Sequence, residues 1–166
     1  FVKNNVSNLV YAGLNRLDRD LDEVICDAYD ATCCAVEYLI SLGHKEIGYI
    51  GAVPSQDKNN VINEHRFRAY KDTLTKHGVS INKNHVKDII LSSKGGYDAM
   101  SEVIDNSSPP TAVFCGNDLS AIGVMRAIHK AGLNIPGDIS VIGLDNIEVS
   151  EYVRPTLTTI RVPKEE

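Results

Sequence analysis

Read along the chain, apolar positions fall into short continuous runs separated by stretches of helical period. Runs at residues 46–51, 86–91, 111–115 and 139–143 are rich in Val, Ile and Phe and are too short for helices. Between them, apolar residues recur every three or four positions near 63–77, 96–106 and 119–131. These three stretches predict helices stopped by Gly78, by Pro109-Pro110, and by Gly132 and Pro136. Upstream, residues 8–12 and 23–26 read as two short strands joined by a charged loop. Ala31, Cys34, Ala35, Tyr38, Leu39 and Leu42 then recur at helical spacing, with Gly43 as the stop. Continuous apolar strands alternating with amphipathic helices predict an α/β fold with a parallel sheet covered by helices on both faces.

Composition narrows what such a sheet can do. With 166 residues, 43% of them hydrophobic, the chain has enough apolar surface to bury a substantial core. Its net charge of −5 is the wrong sign for a nucleic-acid surface, which needs clustered Lys and Arg, so any DNA contact must come from elsewhere. No apolar run approaches the roughly 18 residues of a membrane span. Cys26, Cys33, Cys34 and Cys115 lack paired metal-ligand spacing, and the five histidines show none with one another. The thiols are expected to be buried and reduced, as in a cytoplasmic protein, with neither metal nor cofactor.

The candidate chemistry lies where the apolar runs stop. Residues 112–115 end at Gly116-Asn117-Asp118, and residues 139–144 end at Asp145-Asn146. In open parallel sheets the carboxyl ends of the strands border the ligand crevice, so Asn117 and Asp145 are expected to converge there. Amide and carboxylate groups suit a hydroxyl-rich ligand because each can bond two neighbouring hydroxyls. Asp118 is either a third such group or the N-cap of a helix starting at Leu119. Arg66 sits in the first turns of its helix, an unfavourable place for a cation beside the positive end of the helix dipole, which predicts a partner for it. The polar residues 55–59 read as a solvated loop and His44 as a helix cap. There is no nucleophile elbow, phosphate-binding glycine loop or Cys-His arrangement, and an enzyme is not expected.

Five segments in order also resemble the effector-binding region of the lactose-repressor/galactose-repressor (LacI/GalR) family of bacterial transcription regulators. They are residues 43–51, 66–70 (Arg-Phe-Arg-Ala-Tyr), 112–118 (Ala-Val-Phe-Cys-Gly-Asn-Asp), 135–143 and 155–160 (Pro-Thr-Leu-Thr-Thr-Ile). The resemblance implies a periplasmic-binding-protein-like (type I) fold of two lobes: residues 1–27 as a remnant of the amino-terminal lobe, 28–155 as the carboxyl-terminal lobe, and 156–166 as a crossover back. It implies effector contacts from Arg66, Asn117 and Asp145, with Leu91 standing where several relatives carry a stacking aromatic ring and Ala69 where they usually have glycine. The effector implied is a sugar or sugar phosphate. It also implies a homodimer, with contacts from Ile122, Met125, Arg126, Val149, Tyr152 and Val153. Operator DNA would be bound only through a helix-turn-helix headpiece, which does not precede Phe1, so the chain reads as a fragment. The alternative with the same fold is a periplasmic-type sugar-binding receptor of a transporter.

Overall fold

The computed structural model describes residues 9–13, 22–25, 27–54, 64–106 and 108–162. Strands β1 (Val10–Gly13) and β2 (Asp22–Ile25) pair in parallel as a separate two-stranded sheet. The loop residues 55–59 and Cys26 lie outside the described residues.

Helix α1 (Ala28–Ser41) opens on Asp27, whose carboxylate accepts from the Tyr29 amide at 2.8 Å. It closes where Gly43 takes a φ of +93° and donates to the Ile40 carbonyl. The main sheet follows: β3 (Ile47–Gly51), β4 (Val86–Asp88), β5 (Ala112–Cys115), β6 (Ser140–Asp145) and β7 (Thr158–Arg161). Helices α2 (Glu64–Lys76), α3 (Ser93–Asn106) and α4 (Asp118–Lys130) connect them. Strand order is β4-β3-β5-β6-β7, every neighbouring pair parallel. The predicted parallel sheet between helices is therefore what forms.

Alternation along the strands divides the core between the two faces. Ala112, Phe114, Ile142 and Leu144 join Val36 and Leu39 of α1 and Tyr70 and Leu74 of α2. Val113, Cys115 and Val141 join Met100 and Val103 of α3 and Val124 and Ile128 of α4. The central strands are thus buried on both sides, which is why β3 and β5 read as unbroken apolar runs.

Four expectations shift. The strand expected over 86–91 stops at Asp88: after the Ile89 amide reaches the Gly51 carbonyl the chain leaves the sheet edge, and Ile90 is 87% exposed. Helix α3 starts before Gly96, because the Ser92 hydroxyl accepts from the Gly95 amide and carries the first turn across the glycine pair. The sheet does not close at β6. Thr158–Arg161 adds a strand in register Ile142↔Thr158, with Leu157 and Ile160 turned into the two cores. Of the described thiols only Cys115 is buried; Cys33 is partly covered and Cys34 exposed.

Candidate functional site

The chain order of the sheet reverses between β3 and β5: from β3 the next strand, β4, lies on one side and all later strands on the other. In open parallel sheets the gap outside the carboxyl ends of two such strands is the ligand crevice. Here it is bordered by Gly51, Gly116 and the end of β6.

Arg66 reaches into it from the first turn of α2. It is 3% exposed, and its Nη1 donates to the Gly116 carbonyl at 2.7 Å, immediately past β5. Burial pushes the guanidinium pKa below the ordinary arginine value, while the nearby Asp145 carboxylate and Tyr49 hydroxyl act in the opposite direction. Arg66 and Asp145 are therefore near enough to interact electrostatically.

Asn117 is also there, at the start of α4. Its extended backbone (φ −160°, ψ 170°) turns the chain, and its Oδ1 accepts from the Ser120 amide at 2.9 Å. Asn117, not Asp118, is the N-cap; among the described residues nothing accepts from its Nδ2. Leu91 stands at the bend after β4, half-buried. It faces Gly116 closely: a Cβ on that residue would lie 3.0 Å from Leu91 Cδ2 and 3.2 Å from Gly51 Cα. The aliphatic wall of the crevice thus depends on a residue without a side chain.

Asp118 is corrected on both counts: it neither caps the helix nor faces the crevice. Its side chain is fully buried, accepting from the Ile147 amide (2.9 Å), the Ser150 hydroxyl (2.9 Å) and the Thr159 hydroxyl (2.6 Å). First position in α4 places it beside the positive end of the helix dipole, where a carboxylate is favoured.

The turn after β6 is strained. Asp145 has φ +116° and Asn146 φ +48°, conformations that side-chain-bearing residues avoid and that concentrate at ligand sites. The sequence pattern singles out the pair Asp145-Asn146 and gives no comparable signal for Ser150 and Thr159.

The surface expected to self-associate is mixed. Val149 and Tyr152 are 52% and 72% exposed, Arg126 is exposed with its guanidinium over the Tyr97 ring, and Ile122 and Val153 are half-buried against the core. Met125 is a correction: at 3% exposure it belongs to the core. Helix α4 buries residues around most of its circumference, so its outward face cannot be read from period alone. His44 caps α1 through its backbone, whose amide donates to the Leu39 carbonyl at 3.3 Å, while its ring Nδ1 and Nε2 meet Thr111 Oγ1 at 2.9 Å and Ser140 Oγ at 3.0 Å, tying α1 to the starts of β5 and β6.

A family model for the periplasmic binding protein-like domain matches residues 36–166. The chain is 37% identical over 144 residues to the HTH-type transcriptional repressor PurR of Yersinia enterocolitica, covering 87% of this chain and 41% of that protein. It is 35% identical over 148 residues to the probable HTH-type transcriptional repressor ExuR of Bacillus subtilis, covering 89% and 43%. The chain therefore spans less than half the length of these curated relatives. Among solved structures it matches a sugar-binding LacI-family transcriptional regulator from Escherichia coli complexed with phosphate, with TM-score 0.81 and 28% identity over 92% of this chain and 54% of that one. A putative LacI regulator from Bacillus cereus matches with TM-score 0.82 and 32% identity over 92% and 53%. With the sheet order, the crevice and these likenesses in agreement, the chain belongs to the periplasmic binding protein-like domain family, as an effector-binding region of the LacI type.

Proposed function

We propose that this chain senses a small sugar or sugar phosphate for a transcription regulator, probing it with Arg66, Asn117 and Asp145 against the aliphatic wall of Leu91. The observation that supports this most directly is Arg66 held under the crevice floor by Gly116 and electrostatically coupled to Asp145. A planar guanidinium donates two parallel bonds to vicinal oxygens, Asp145 accepts from hydroxyls, and the Asn117 Nδ2 adds a neutral donor. Leucine offers apolar contact and no π-face, which favours an aliphatic sugar ring edge over a stacked base. Ligand closure against a second lobe biases one lobe arrangement and so the affinity of a DNA headpiece for its operator. The curated relatives are repressors, which supports a regulator in the cytoplasm over a transport receptor and over an enzyme. Among the described residues no helix is long and apolar enough to cross a membrane.

Binding is checked by thermal shift with a panel of sugars and sugar phosphates at millimolar concentration. A binder present at a hundred times its dissociation constant stabilises the protein by about 2.7 kcal/mol. Arg66→Lys keeps the charge and loses the fork, so it is expected to abolish that shift; a panel without a single binder, or a binder indifferent to this substitution, overturns the reading. Dimerisation, reading two operator half-sites, is assigned to the exposed surface around Ile122, Arg126, Val149, Tyr152 and Val153. Sedimentation of Tyr152→Asp tests it without disturbing the core.

A further inference from the structure

We infer that Asp118 and Thr159 form a strut that sets the position of Asp145 in the crevice and ties it to the outgoing strand β7, which makes both of them positioning residues for ligand binding. The inference rests on the reading of Asp145 as a ligand contact.

The connection is continuous. Thr159 Oγ1 donates to Asp118 Oδ1 at 2.6 Å and accepts from the Asn146 amide at 3.3 Å. The other carboxylate oxygen, Oδ2, takes the Ile147 amide and the Ser150 hydroxyl, both at 2.9 Å. One buried carboxylate therefore pins the two residues that follow Asp145, one directly and one through Thr159. Left alone, a chain with positive φ at Asp145 and Asn146 relaxes toward ordinary backbone. A strained turn persists only when its surroundings over-determine it, and these bonds supply that constraint. The donors reaching Asp118 are amide and hydroxyl groups on the 147–150 turn and on β7, so the carboxylate joins three elements, its own helix included.

The strand behind it has been cleared to admit the carboxylate. A Cβ on Gly143 would come within 2.2 Å of Asp118 Oδ1 and 3.2 Å of Leu157 Cδ2. Asp118 thus requires a bare position in the middle of β6, two residues before Asp145. Pulling Asp145 toward a ligand displaces Asn146 and Ile147, and their shared anchor passes the displacement to Thr159. Because Asp145 also lies opposite Arg161 in the β6–β7 register, the strut fixes the segment of β7 nearest the crevice.

The test uses the chain without any ligand, so a failed sugar panel and a failed strut are separate results. Amide hydrogen exchange and the Arg66 side-chain NMR signals are followed in Thr159→Val, Thr159→Ser and Val103→Ala. The last removes core contacts in α3, remote from the strut. Loss of one net hydrogen bond predicts roughly fivefold faster exchange at Asn146 in Thr159→Val. The Ser120 amide, held by Asn117, stays unchanged, the Arg66 signals move, and Thr159→Ser restores both. Asp118→Asn extends the faster exchange to Ile147. If Thr159→Val speeds exchange evenly and leaves Arg66 where Val103→Ala leaves it, the strut is merely structural and the inference falls. Thr159→Ala, which buries no extra methyl group, is judged by the same two readouts should the valine variant misfold.

Discussion

The two ends of the main sheet solve opposite problems with the same strands. At the carboxyl end, the positive ends of α2 and α4 gather around a buried arginine, a buried aspartate and two residues of unfavourable backbone. At the amino end, the strands start above an apolar cavity of about 190 Å³ with no charged residue in its lining, walled by Leu39, Met125, Ile135, Val141 and Leu157. Parallel βα units send all helix N-termini to one end, so anionic and hydroxyl-bearing groups find the preorganised amide donors of helix ends there. Polarity and strain at one end and apolar packing at the other separate the part of the molecule that binds from the part that holds.

The largest effect that tests this division belongs to the amino end. Met125 lines the cavity and is 3% exposed, so Met125→Asp places a carboxylate among aliphatic side chains. An unpaired buried charge costs on the order of 3–5 kcal/mol. Chemical denaturation is expected to show that loss, while Met125→Leu, nearly equal in volume, costs less than about 1.5 kcal/mol. If Met125→Asp unfolds no more easily than wild type and only changes the association state, Met125 is a surface residue after all and the holding end has been misplaced.

At the binding end the expected sign is reversed. Asp145→Gly relieves a backbone with φ +116° and removes a carboxylate from the crevice. Where a conformation is left-handed, glycine is at home, so the variant is expected to equal or exceed wild-type stability by up to about 1 kcal/mol. It is expected at the same time to lose the thermal shift produced by any ligand of the wild type. A gain at the expense of binding marks strain kept for function; clear destabilisation with binding intact shows that Asp145 serves the fold.

How much of this was legible follows the same division. Strands β3, β5 and β6 were visible because burial on both faces leaves a continuous apolar run, ended by Gly51, Gly116 or Asp145. Arg66 was visible because a cation in the first turn of a helix needs a partner, and Gly116 and Asp145 provide it. Strand β7 was hidden, since an edge strand reading Thr-Thr-Ile-Arg has only a few inward apolar positions. Asp118 was misread for a different reason. Its partners are Ile147, Ser150 and Thr159, 29 to 41 residues away, and no local pattern announces which buried donors a carboxylate will meet.

The smallest effect is a pH dependence confined to the amino end. Thr111 Oγ1 donates to the Glu46 carbonyl at 3.2 Å, so it receives the His44 Nδ1 proton, and Ser140 donates to the bare Nε2. The network therefore favours neutral imidazole, and burial pushes the pKa of His44 below its ordinary 6.5. A base with a depressed folded-state pKa binds fewer protons folded than unfolded. Its contribution to stability is full above pH 6.5 and declines as the pH falls below that value toward the folded pKa. His44→Gln keeps a donor and an acceptor without a titration, so the melting temperature of the variant should fall less steeply than that of the wild type as the pH drops through this range. Arg66 offers the crevice no such dependence on the acid side of neutrality, because its guanidinium, although pushed down by burial, stays charged there. An unchanged slope in His44→Gln would return the pH sensitivity to the carboxylates and remove the titrating group from the holding end.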